Sequence, residues 1–568
     1  MPLRFLAPYC PSNVGGAFNR CNRRRLCGLV AAAALGLSSC GSDEDEGIAF
    51  GSVGYVEGFF GAVAADEPNA VLVGRDILSS GGTAADAAVA VGFAMSVTLP
   101  SRASLGGGGV CLVHDPATGS TEALDFIPVP GTPNNPRADR PSAIPALARG
   151  MVALHARYGE LDWRSLLRPA EDLARFGHRL PRAFSKDLNR AAKPLFADPE
   201  ARRVFSREGG GIPIGENERY RQLDLAALLG QLRINGVGVM YNGPIAKKIV
   251  DGVAEAGGTL TVTDLRDWLP QWRATFIQPF DLNFVPYEMH VAPLPAAGGI
   301  LSAQMIGMLR EDDRYLEADE QGRLHLIAAV GQRAFAARAG WLKEDLTAVD
   351  PLENLVDGPI LEDMMGSFEP DRATASAALT PPPVRVRENP AGASFVIVDR
   401  RGGAVACSLT MYNLFGTGRV VPNTGIVLAA APDRGPRNPL PLGPVLVVRP
   451  GNFAFHFAIA GSGGVAAPTS IANVAARSFL AGEPARDAVD APRVHHGGAP
   501  DQVVVEEAIG PEAQAALRAL GYTVSTAPRF GQVNVIYCAT DLPPQAETPV
   551  ACSASGDRRG FGMAVQAD

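Results

Sequence analysis

Few stretches of this 568-residue chain place reactive side chains in a chemical pattern. Ser462 lies between glycines in "AGSGGV", but the spacing is not a G-x-S-x-G elbow, and no Ser-His-Asp set accompanies it. His495 and His496 are adjacent in "DAPRVHH" and read as structural residues rather than bases. Gly106 to Gly109 could cradle a phosphate through backbone amides. A strand follows that run instead of a helix, and no Lys-Ser/Thr is attached, so close backbone packing explains it better. Cys111, Cys407, Cys538 and Cys552 are the body's thiols. Cys538 and Cys552 flank a Pro-rich loop between two strand-like runs, where either a disulfide or two buried thiols fits. There is no CxxC and no zinc-like His/Cys spacing, so no metal is expected.

The elements that must position any site divide the chain by character. "NRRRLCGLVAAAALGLSSC" has a basic head, an apolar run from Leu26 to Leu37 and a small-residue end, which reads as an export signal rather than a membrane span. Its Leu-Ser-Ser-Cys end resembles a bacterial lipobox, which implies cleavage before Cys40 and lipidation of that thiol. The expected layout is a signal over 1–39, an acidic tether over 40–50, a helix-rich region over 51–387 and a strand-rich region over 388–568. The lipid on Cys40 would anchor a body in the bacterial periplasm to a membrane. The net charge of −8 becomes more negative once Arg4, Arg20, Arg23, Arg24 and Arg25 leave with the signal. No basic patch remains in the body, so nucleic acid is not an expected partner.

"NAVLVGRDILSSGGTAADAAVAVGFAMSVTLP" predicts a helix, a glycine break and a second helix that is apolar nearly all round and therefore buried. Thr83 is its predicted N-cap, with Asp86 capping or pairing nearby. The text from Ser142 to about Gly340 reads as helical, including two helices around "YGELDW". "FEPDRATASAALTPPPVRVRENP" reads as an exposed linker. "GASFVIVDRRGGAVACSLT" reads as two strands around a turn, and the chain ends in a hairpin near 533–564.

Seven segments in order resemble the gamma-glutamyltransferase (glutathione hydrolase) family: "GGTAADAAVAVGFAMSVTLP", "LGGGGV", "ARYGELDW…LLRPAEDLARFG", "AGGTLTVTDL", "FGTG", "DAPRVHH" and "SGDRRG". The resemblance covers about residues 55 to 562. It implies an α+β fold, the four-layer αββα sandwich of the N-terminal-nucleophile hydrolases. It also implies a precursor that cuts itself before a Thr, whose freed amine then serves as base for γ-glutamyl acyl transfer to water or an amine. It implies no cofactor.

Carried over position by position, the family's machinery is mostly missing. Anchoring on "VDRRGGAVA" puts the nucleophile at Gly392, which has no side chain to attack with. Ser394 would share its strand face, but roughly 6–7 Å further along, and misplacement by about 1 Å can cost on the order of 100-fold. Thr410 matches the supporting Thr. The Arg that grips a substrate carboxylate falls on Ile127, and the Asn beyond Thr410 falls on Tyr412, with Asn413 one residue late. The Asp that grips an α-amine falls on Arg434; Asp433 matches its neighbour. Leu440 to Leu442 replace a pocket Ser-Ser, while Gly463 and Gly464 could still offer oxyanion amides. An isoleucine gives a carboxylate no charge, and an arginine repels an ammonium. The expectation is a non-cleaving member with impaired or altered γ-glutamyl chemistry and an altered small amide or peptide ligand. The alternatives are an amidohydrolase using Ser394 and ordinary γ-glutamyl transfer.

Overall fold

A helix pair opens the body as the glycine break predicts. Helix α1 (Pro68–Ser79) ends before Gly81 and Gly82, and α2 (Ala84–Thr98) follows. Thr83 and Asp86 form a reciprocal capping box at the start of α2. All of α2 is buried, as its small apolar residues require. A second carboxylate arrives from far along the chain: Asp399 accepts a hydrogen bond from Ala84 N at 2.9 Å. The segment around "YGELDW" gives α3 (Leu147–Tyr158) and α4 (Trp163–Phe176), which pack on α2.

The computed structural model describes residues 59–131, 140–208, 210–255, 257–282, 285–349, 354–385, 388–433, 437–543 and 550–567. Cys40, the leader, the tether and Arg434 lie outside the described residues.

Among the described residues, thirteen strands build the two large sheets. They are β1 (Gly61–Ala65), β2 (Gly108–Asp115), β3 (Ser120–Phe126), β4 (Gln271–Ala274), β5 (Phe276–Leu282), β6 (Val285–Val291), β7 (Gly392–Asp399), β8 (Ala404–Thr410), β9 (Val445–Val448), β10 (Phe455–Ser462), β11 (Gln532–Leu542), β12 (Cys552–Ser555) and β13 (Met563–Ala567). The first sheet runs β13-β1-β7-β8-β2-β3-β4 and the second β12-β11-β10-β9-β6-β5. Strands β7 and β8 sit between β1 and β2, so the helix-rich and strand-rich regions interleave in space.

Side-chain alternation then makes four layers. Along β7, Ala393, Phe395 and Ile397 face a core shared with α1 to α4, while Val396 and Val398 face a second core between the sheets. The outer face of the second sheet packs on α5 (Gly298–Arg310), α6 (Glu320–Trp341) and α7 (Ala466–Ala475). The expected αββα sandwich is the architecture found.

Several expectations need correction. The stretch read as helical from 142 to 340 is interrupted by β4, β5 and β6. Pro279 and Pro286 concealed that hairpin, because proline fits a strand mainly at an edge, and β5 is an edge strand. The segment read as an exposed linker is exposed over most of its described residues but is pinned at two points: Ser376 Oγ donates to Asp501 at 2.8 Å, and the Glu388 side chain is buried against Arg338. The terminal hairpin is β11 with β12; β13 leaves it to pair with β1. Cys538 and Cys552 form a disulfide across that hairpin. A second, unanticipated disulfide joins Cys111 and Cys407, directly opposed on β2 and β8.

Candidate active site

Strand pairing brings the expected positions together. β7 and β8 run antiparallel with Gly392 opposite Thr410 and Ser394 opposite Ser408. Gly392 stands at the head of β7, where the strand meets the end of β10 and the turn that carries Gly463 and Gly464. Those glycines hold φ of 132° and 63°, in the region that favours residues without a Cβ. Between these parts lies a void of only about 20 Å³, lined by Gly392, Thr410, Tyr412, Asn438, Gly463 and Gly464 among others. That is room for about one water molecule, not for an amino-acid head group.

Tyr412 does much of the closing. It is buried, at a φ of 61°, an unusual place for a bulky side chain. Its backbone N–H donates to Thr410 Oγ1 at 2.9 Å, so the supporting Thr holds the bend that turns Tyr412 inward. The phenol donates to Pro128 O at 2.9 Å, and burial pushes its pKa well up, so it stays neutral. Ile127 is buried beside it, with its N–H donating to Asp125 Oδ1 at 3.0 Å.

The chain leading into Gly392 is fastened inside the protein. Glu388 pairs with Arg338 at 2.8 Å, both almost fully buried. Burial raises the Glu388 pKa, and Arg338 opposes that rise. Asn389 accepts from Ala391 N at 2.8 Å and donates to Asn413 Oδ1 at 2.6 Å. Asn413 therefore serves this lead rather than the void. Asp433 is held by Arg437, whose Nε donates to it at 2.9 Å. Leu440 and Leu442 are buried where the resemblance called for hydroxyls.

Ser394 is on the same face as Gly392, as alternation requires, but lies beneath the second sheet. It is fully buried and does not line the void. Its Oγ donates to Ala460 O at 3.3 Å and accepts from Asn534 Nδ2 at 2.8 Å. Its backbone N–H donates to Asp66 Oδ2 at 2.9 Å. Asp66 was not singled out in the sequence, since "AADEPNA" carries no signal for a partner on β7 or β11. Burial raises the Asp66 pKa to about 6, against hydrogen bonds from Asn534 and Ser394 and the charge of Arg102. The paired histidines are structural in geometry. His495 bonds Thr469 Oγ1 at 3.0 Å, and burial lowers its pKa to about 3. His496 Nδ1 accepts from Gly498 N at 3.0 Å.

Two facing sheets between helical layers define an N-terminal-nucleophile hydrolase-type fold. The cephalosporin acylase of Bacillus halodurans superposes over 92% of this chain and 99% of its own, with a TM-score of 0.74 at 20% identity. The Gamma-glutamyltranspeptidase family model matches residues 70–567, and the chain belongs to that family. A glutathione hydrolase proenzyme of Escherichia coli is 27% identical over 85% of this chain and 88% of its own length. One from Pseudomonas aeruginosa is 28% identical over 82% and 88%.

Proposed function

We propose that this protein remains a single uncut chain, performs no γ-glutamyl transfer or hydrolysis, and acts by binding a different small ligand. We place it in the bacterial periplasm, tethered to a membrane through a lipid on Cys40. The observation that carries the reading is the head of β7. Gly392 faces Thr410 there, next to a void of about 20 Å³. Self-cleavage of this type needs a hydroxyl or thiol to attack the preceding carbonyl, and glycine supplies neither. Turnover needs space for the substrate, and the void offers about one water's worth. Ile127 in place of a carboxylate-binding Arg supports the loss of glutamyl recognition. Two disulfides, Cys111–Cys407 and Cys538–Cys552, support an oxidising compartment.

The direct test is incubation of the purified protein with γ-glutamyl-p-nitroanilide, following release of nitroaniline. Release should not exceed that of buffer. Release in proportion to protein concentration, surviving repurification, would sink the proposal.

A further inference from the structure

A larger pocket lies beside the void. Tyr412 and Ile127 form part of the wall of a cavity of about 520 Å³, well within the size range of small-molecule sites. Tyr412 borders both this cavity and the 20 Å³ void. The remaining wall is mostly apolar, with Val129, Phe276 and Leu294. Among the described residues, one cation enters that wall, Arg273 of β4.

Arg273 is only partly engaged. Its Nη1 donates to Leu294 O at 2.5 Å and lies 3.4 Å from Asp125 Oδ2. Its Nε and Nη2 make no hydrogen bond among the described residues, and its side chain is 37% exposed. Asp125 is its counter-charge; burial raises that carboxyl's pKa, and the Ile127 amide and Arg273 oppose the rise. The other ionisable group of the wall among the described residues is Asp345, whose Oδ1 is engaged by its own loop. It accepts from Thr347 N at 3.0 Å and Thr347 Oγ1 at 2.6 Å.

We propose that this cavity binds small carboxylic acids with an apolar tail, the tail lying against Ile127, Tyr412 and Leu294 and the carboxylate accepting from Arg273. The proposal rests on the non-glutamyl binding role above and supplies its ligand class. A guanidinium with two free donors suits a carboxylate, and a charge-assisted bond of this kind is about twice as strong as a neutral one. An amino acid head is disfavoured, because its ammonium would sit in an apolar wall beside a cation.

The experiment is calorimetric titration of the signal-free body with octanoate and with octan-1-ol, which shares the tail but not the charge. Octanoate should bind saturably at one site per chain, and octan-1-ol at least tenfold more weakly. Arg273→Met should bring octanoate down to the level of the alcohol. Ala348→Trp, which fills the cavity, should abolish binding of both. Equal binding of acid and alcohol, no octanoate binding, or octanoate binding unchanged in either variant would overturn the proposal. Intact mass of the same sample separates the two readings. An uncut chain that ignores octanoate defeats the pocket alone, whereas a cut chain defeats the parent reading.

Discussion

Asp66 ties Ser394 into the interior, and its titration should be visible in stability. The carboxylate accepts from Ser394 N at 2.9 Å and from Asn534 Nδ2 at 2.8 Å, and is fully enclosed. Burial raises its pKa from 3.8 to about 6, helped slightly by Asp557 and opposed by Asn534, Arg102 and the Ser394 amide. A carboxyl whose folded pKa is raised stabilises the fold fully below the unfolded value. That contribution is lost as pH rises through the folded value. The rise is worth ~3 kcal/mol in total, at about 1.4 kcal/mol per pKa unit. About 2 kcal/mol of it falls between about pH 4 and pH 7. Asp66→Asn removes this titration. The variant also meets the Asn534 amide with an amide of its own, a cost that does not vary with pH. Urea unfolding of both proteins, compared at about pH 4 and about pH 7, cancels the other titrating groups. The variant should gain about 2 kcal/mol on the wild type over that interval. A difference that stays flat within about 0.5 kcal/mol would refute the assignment of Asp66, and with it the enclosed network that makes Ser394 structural.

Three further outcomes follow from the same geometry. Replacing Cys111 and Cys407 together by Ala removes a cross-link that closes a long loop, and should cost on the order of 4–5 kcal/mol in chemical unfolding. Arg338→Met leaves Glu388 buried without a partner and should destabilise by about 3–5 kcal/mol, less at low pH, where Glu388 takes up a proton; calorimetry at two pH values reads this. Gly392→Thr should be accommodated, since an added Cβ meets Leu409 O at 3.1 Å and Ser462 Cβ at 3.5 Å, contacts that a small shift relieves. It should still show no γ-glutamyl-p-nitroanilide hydrolysis, because the void beside residue 392 has room for about one water molecule.

Much of the layout was legible because local chemistry dictated it. Thr83, Asp86 and the glycine pair set the α1–α2 junction, and the "DRRGG" turn set the β7–β8 register that puts Gly392 opposite Thr410. Alternation correctly placed Ser394 on the face of Gly392, but alternation reports direction and not depth. Only the overlying β10 and Asn534 reveal that its hydroxyl is enclosed. The β5–β6 hairpin was hidden by its prolines. The Cys111–Cys407 bridge joins positions 296 residues apart, so nothing local announces it. The placement of Tyr412 between void and cavity goes with a backbone bend at Thr410, and a tyrosine at that position gives no sign of a positive φ.

The central claim is that the bond before Gly392 stays intact, and intact mass of the purified body, residues 41–568, tests it most directly. The sample must be reduced and denatured, because the Cys111–Cys407 disulfide would hold the two pieces together after a cut. The account predicts one species with the mass of the uncut chain. Two polypeptides, with a new N-terminus at or near Gly392 or Ser394, would contradict it and return the protein to the self-processing hydrolases.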